Sequence, residues 1–241
     1  MSEPKKTALV VSAHSADFVW RAGGAIALYA ARGYEVTIVC LSFGERGESA
    51  KLWREPGMTL EKVKAARREE AEKAAAILGG KLHCLDLGDY PLHVPNETLL
   101  ALADLYREID PAFVLTHSLE DPYNFDHPRA TRAAQEARVI AQAHGHRPEQ
   151  GRVLGAPPVF LFEPHQPEQC GWMPNTLLDI SPVWEKKRAA FETMAAQEHL
   201  WEYYTRVALQ RGAQAARNSN AKIRYAEGYQ RLFPQVTEAL S

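Results

Sequence analysis

Strand-like apolar runs alternating with helix-like stretches constrain this chain more than any other feature of its sequence. Residues 7–13 (Thr-Ala-Leu-Val-Val-Ser-Ala) form an apolar run ending in small residues. Its lack of polar–apolar alternation is that of a strand buried on both faces. Further strands are predicted at 35–41, 81–85, 112–117 and 157–162. Helices are predicted at about 25–32, 60–78, 96–109 and 127–143, and residues 183–217 read as mostly helical. Gly23-Gly24 are expected to open the first helix and Gly33 to close it. Gly79-Gly80 should end the second, and Asn96 should cap the third. Residues 42–59, 144–156 and 163–182 read as loops or irregular segments. Strand alternating with helix predicts βαβ units, right-handed crossovers and a mostly parallel sheet with helices on both faces. The expected fold class is therefore α/β, a Rossmann-like single domain spanning residues 1–241. Such sheets bind ligands beyond the C-terminal ends of their strands, which directs attention to the loops after residues 13, 41, 117 and 162.

Composition narrows the classes of function. Lys plus Arg total 28 against 30 Asp plus Glu, with no long basic run, which argues against a nucleic-acid partner. The polar start, residues 1–6, lacks the apolar core of a signal peptide, and no apolar run approaches the ~20 residues of a membrane span. A cytoplasmic protein without a membrane partner is expected. Cys40, Cys84 and Cys170 are an odd, widely spaced set without C-x-x-C spacing, and are expected to be reduced thiols.

Two loops carry the chemistry. Ala13-His14-Ser15-Ala16-Asp17 follows the first strand, and Asn124-Phe125-Asp126-His127 precedes a helix after the fourth. His14, Asp17 and His127 would give a zinc ion three protein ligands and leave a fourth position open, the pattern of a catalytic site. Asp126 is a candidate to orient one of the histidines. Nine histidines are present, so spacing alone leaves other choices open.

The order of motifs resembles the PIG-L/LmbE-like family of zinc-dependent de-N-acetylases. The resemblance rests on Ala13-His14-x-x-Asp17, Gly23-Gly24, Gly44-Glu45, Arg67 with Glu70 and Leu78-Gly79, Asp126-His127, and Leu178-Asp179-Ile180. It implies that His14, Asp17 and His127 bind Zn2+. The family's A-H-P-D-D is Ala-His-Ser-Ala-Asp here, so Ala16 stands where the family has its general base. The family's H-P-D-H is Asn-Phe-Asp-His, so Asn124 replaces a histidine of that chemistry. Amide hydrolysis needs a base for the water and an acid for the leaving amine, each worth roughly 10²–10⁴ in rate.

The altered first motif resembles a non-hydrolytic branch of the family. That likeness implies addition of water across the C=C bond of an unsaturated oxo-tricarboxylate, 4-oxalomesaconate, to give 4-carboxy-4-hydroxy-2-oxoadipate in gallate degradation. Glu48 and His165, on loops after strand ends, are the candidate acid–base pair, with Glu48 as base, His165 as acid, and the exchanged assignment open. Glu45, Glu163 and Asp89 are alternatives. A polycarboxylate substrate calls for arginine, with Arg46 as first candidate and Arg21 or Arg129 as alternatives. Arg67 and Glu70 are spaced for an intrahelical ion pair. Trp201, Tyr203 and Tyr204 are expected in the core or a subunit contact, and the likeness to the family carries the expectation of a homo-oligomer. Two competing readings are a deacetylase with Glu48 as substitute base and a non-catalytic metal-binding protein.

Overall fold

The computed structural model describes residues 6–238. The expected polar start lies almost wholly outside the described residues, as do the outermost ends of the expected 1–241 domain. The elements are β1 (Thr7–Ser12), α1 (Asp17–Ala31), β2 (Glu35–Cys40), α2 (Ala50–Trp53), α3 (Leu60–Leu78) and β3 (Gly80–Cys84). They continue with α4 (Asn96–Ile109), β4 (Val114–Thr116), α5 (Asp126–Gln142), β5 (Val159–Phe162) and β6 (Thr176–Asp179). The chain then runs through α6 (Trp184–Thr193), α7 (Leu200–Arg217) and β7 (Ala226–Arg231).

All seven strands form one sheet in the order β3-β2-β1-β4-β5-β7-β6. The first five are mutually parallel, as the alternation of strand and helix predicts. Their order reverses at β1, the switch point where such sheets place ligands. Successive residues of β1 enter opposite cores: Ala8 and Val10 pack with α1, α3, α6 and α7, while Leu9 and Val11 pack with α4 and α5. This is the double burial that its apolar run requires.

Three expectations are corrected. First, β7 pairs antiparallel with both β5 and β6, so residues 163–182 and the segment after 217 contribute strands that were not expected. Second, α1 starts at Asp17, two turns before Gly23-Gly24, which therefore lie inside it. A Cβ on Gly24 would stand 2.6 Å from Ile180 Cγ2, so this glycine serves close packing. The backbone N–H groups of Gly24 and Ala25 donate to the Glu227 carboxylate at 2.7 and 2.8 Å, and Lys187 pairs with the same carboxylate at 2.5 Å. Third, Pro95 occupies the cap position of α4, and Asn96 is its first helical residue.

Other punctuation is as read. Gly33 and Gly79 end their helices with φ of +84° and +83°. The Thr59 hydroxyl, which the sequence had not singled out, caps α3 by accepting from Lys62 N–H. Tyr204 is buried and stacks on Trp20 at 5.5 Å, which places it in the core.

Candidate metal centre and active site

β1 delivers His14 and then, through a single turn, Asp17 as the first residue of α1. The loop after β2 delivers Glu48, and the loop after β4 delivers Asp121, Asn124 and, at the start of α5, His127. One ligand atom each from His14, Asp17, Glu48 and His127 lies within 4.8 Å of the others. His14 Nδ1 stands 3.1 Å from Asp17 Oδ2 and 3.2 Å from Glu48 Oε1. His127 Nε2 stands 3.4 Å from Asp17 Oδ1 and 3.8 Å from Glu48 Oε1.

The donor set fits a divalent cation. His127 Nε2 is buried with no hydrogen-bond partner among the described residues, while Nδ1 of the same ring is held by Asp121 Oδ2 at 2.8 Å. That is the arrangement of a ligand imidazole oriented by a carboxylate. His14 Nε2 faces Asp126 Oδ2 at 3.5 Å, so each histidine has its own acidic partner. Asp126 also accepts the backbone N–H groups of Tyr90 and Leu92 at 2.9 and 2.8 Å.

The electrostatics are those of a cation site. Burial alone would strip the proton from His127, but Asp17, Asp121 and Glu48 outweigh it and raise the imidazole to about 9. His14 is likewise raised against burial by Glu48, Asp126 and Asp17. Burial pushes Asp17 and Glu48 up, yet the neighbouring histidines hold both below the usual carboxylate range. The cluster thus concentrates carboxylate charge that draws protons to its imidazoles where no metal is bound.

The remaining sequence candidates fall into different places. Glu48 is next to the expected ligands and receives a hydrogen bond from Asn124 Nδ2 at 3.2 Å. His165 stacks on Tyr203 at 4.2 Å, with its carbonyl accepting from the Tyr203 hydroxyl. Burial and the Arg21 charge lower its pKa, and the Glu48 and Asp121 carboxylates oppose them. Arg46 turns toward Glu45 Oε1 and the Asp89 carbonyl, both at 3.4 Å, and its side chain is about half exposed at 48%. Arg129 pairs with Asp126 at 3.1 Å. Arg21 is buried, donates to the Glu163 carbonyl at 2.8 Å, and its Nε, which has no hydrogen-bond partner among the described residues, forms an ion pair with Asp17 Oδ1 at 3.6 Å. Arg67 and Glu70 form the expected ion pair at 2.6 Å, with Arg67 also reaching Gln197.

The sequence reading missed several of these residues. His117 is buried, stacks on His127 at 4.2 Å and accepts the Ala13 N–H at Nε2. Burial and the His127 charge hold it neutral, and its bond to Ala13 fixes the backbone beside His14. A histidine at a strand's C-terminal end was the only sequence signal for it. Asp121 has no motif of its own. A cavity of about 740 Å³ adjoins the cluster, lined by Glu48, Lys51, Arg54, Tyr90 and His199 among others.

A buried two-histidine, two-carboxylate cluster at the switch point of a doubly wound sheet defines a metal-site α/β enzyme class. Comparison with known proteins makes the class specific. The GlcNAc-PI de-N-acetylase (PIG-L) family model matches residues 9–138, and the chain belongs to that family. A Pseudomonas putida protein named 4-oxalmesaconate hydratase is 64% identical, over 100% of this chain and 95% of its own length. The diacetylchitobiose deacetylase of Thermococcus kodakarensis is 29% identical over 92% of this chain and 84% of its own. The crystal structure of GalB, described as the 4-carboxy-2-hydroxymuconate hydratase of P. putida KT2440, superposes with a TM-score of 0.96 at 65% identity. That superposition covers 98% of this chain and 100% of the other.

Proposed function

We propose that this chain is a zinc-dependent hydratase that adds water across the C=C bond of an unsaturated oxo-tricarboxylate, converting 4-oxalomesaconate to 4-carboxy-4-hydroxy-2-oxoadipate. The names of the two hydratase relatives describe keto and enol forms of one carbon skeleton, which supports a single substrate type. The observation that carries the reading is the pairing of 64% identity over the whole chain with the loss of the family's two proton carriers. Ala16 is buried at the start of α1 and has no titratable group. Asn124 spends its amide on Glu48 and its carbonyl on the Asp126 N–H, so it acts as a brace.

His14, Asp17 and His127 would hold the zinc. When bound, it would supply Lewis-acid polarisation of a substrate oxygen. Glu48 sits beside those ligands, with Oε1 3.2 Å from His14 Nδ1, where its carboxylate would accept a proton from the attacking water. His165 would return a proton to the other carbon. Its pKa is lowered by burial and by Arg21. The negative charge of a bound polycarboxylate would counter Arg21 and draw a proton onto the ring. Arg46, the first sequence candidate for the substrate carboxylates, is engaged by Glu45 and Asp89, which favours cations that line the cavity instead.

The test is turnover of metal-loaded variants. Glu48→Gln and His165→Asn should each lose roughly 10²-fold or more in kcat while binding zinc. Both variants staying within a few-fold of the parent would remove these residues from the mechanism.

A further inference from the structure

Tyr90 stands in a backbone conformation that tyrosine rarely adopts. Its φ is +48°, in the left-handed region, where a bulky non-glycine residue is strained. The conformation is held from below by Asp126, the partner of His14, which accepts the Tyr90 N–H at 2.9 Å and the Leu92 N–H at 2.8 Å. The ring is held from the side by Gly47. A Cβ on Gly47 would stand 2.1 Å from Tyr90 Cε2, so only glycine lets the ring lie where it does. The ring centroid is 6.2 Å from His14 and 5.2 Å from Phe125.

Three separate devices thus fix one aromatic ring at the wall of the 740 Å³ cavity, beside Glu48. A core tyrosine would be buried with its hydroxyl paired. Tyr90 is instead 36% exposed, and no hydrogen bond to its hydroxyl is found among the described residues. The same cavity carries Lys51, Arg54 and His199. Lys51 is tied to Glu198 at 3.0 Å, whereas Arg54 is exposed and has no ion pair among the described residues.

We propose that Tyr90 is a substrate-binding residue whose phenol O–H donates a hydrogen bond to a carboxylate of the bound tricarboxylate, in the cavity shared with Arg54. The assignment rests on the hydratase reading and adds to it the place where the substrate's distal charge is held. A hydrogen bond to a charged acceptor contributes about 1.5–3 kcal/mol, which is roughly 10- to 100-fold in affinity. The strain at Tyr90 is repaid through a donor positioned before substrate arrives.

The experiment compares Tyr90→Phe with the parent enzyme, both zinc-loaded, following loss of the conjugated chromophore of 4-oxalomesaconate. Tyr90→Phe keeps the ring and its contacts and loses only the hydroxyl. KM should rise about 10-fold or more with kcat within about threefold and zinc content unchanged. Gly47→Ala, which displaces the ring, should raise KM as well. A Tyr90→Phe KM within twofold of the parent overturns the assignment while leaving the hydratase reading intact. A fall in kcat at unchanged KM also overturns it, because the hydroxyl would then act only in the transition state. No chromophore loss by the parent enzyme overturns the hydratase reading, and this assignment with it.

Discussion

Asp121 shows how much of the site depends on residues outside the ligand motifs. Its carboxylate holds Nδ1 of His127 and leaves Nε2 for the cluster. Asp121→Asn should therefore keep the fold and weaken zinc binding by roughly 10- to 100-fold, measured by competition with a chelator. Unchanged affinity would mean that the ring needs no such partner. Protonation of the same ring gives a second expectation. His127 is raised to about 9, so where no metal is bound it carries a proton at neutral pH that zinc must displace. Apparent zinc affinity should rise as pH increases from 6 through about 9, with the raised His14 adding to the rise, and calorimetry at several pH values would show it. The three proposed ligands were legible because strand-end positions drew attention to them and the motifs resembling the family singled them out from nine histidines. Glu48 was legible as a titrating residue beside the site, but not its distance from His14. His117 and Asp121 were not legible, since a strand-end histidine and a loop aspartate look the same wherever the fold takes them. Arg46 shows the converse: its loop position was right, but Glu45 and Asp89 could not be seen to claim it.

Among the elements, α1 carries the most information. It sets Asp17 at its first turn and packs Gly24 against Ile180, just after β6, and Glu227, while Gly23 faces Lys187 and Leu78. The sequence reading placed its start at Ala25 because Gly23-Gly24 resemble helix punctuation. In the fold they are where another part of the chain comes closest. Gly24→Ala should overpack this contact against Ile180 and destabilise the protein by about 1–3 kcal/mol, or roughly 2–10 °C in Tm. Thermal unfolding checks this, and an unchanged Tm would show that Ile180 yields at no cost. β6 and β7 were missed for another reason. Thr176–Asp179 is short and only partly buried, and Ala226–Arg231 mixes Glu, Gly, Gln and Arg with its apolar residues. The buried partners that make such a strand stable, Lys187 for Glu227 and Glu163 beside Gly228, are distant in sequence. Four of the parallel strands, β1, β2, β4 and β5, needed no such partners to be recognised, because they are buried almost throughout and largely apolar, whereas β3 is an edge strand with Lys81 and His83 exposed.

In the whole molecule, one sheet gathers loops from the ends of β1, β2 and β4 around the cluster, and β5 leads into His165. No helix among the described residues is long and apolar enough to cross a membrane. Metal should couple to stability as well as to turnover. Stripping with a chelator should abolish activity and lower Tm, and zinc at 100 times its Kd should restore about 2.7 kcal/mol. Recovery of activity without zinc would contradict a metal role. The central claim is the reaction itself, and family membership alone leaves it between hydration and deacetylation. The direct measurement gives zinc-loaded protein 4-oxalomesaconate and an N-acetylated amino sugar in parallel, following chromophore loss in one and acetate release in the other. Rapid chromophore loss with no acetate above background is the predicted result. Acetate released at enzymatic rates while the chromophore persists would contradict it and return this chain to the hydrolytic chemistry of its deacetylase relatives.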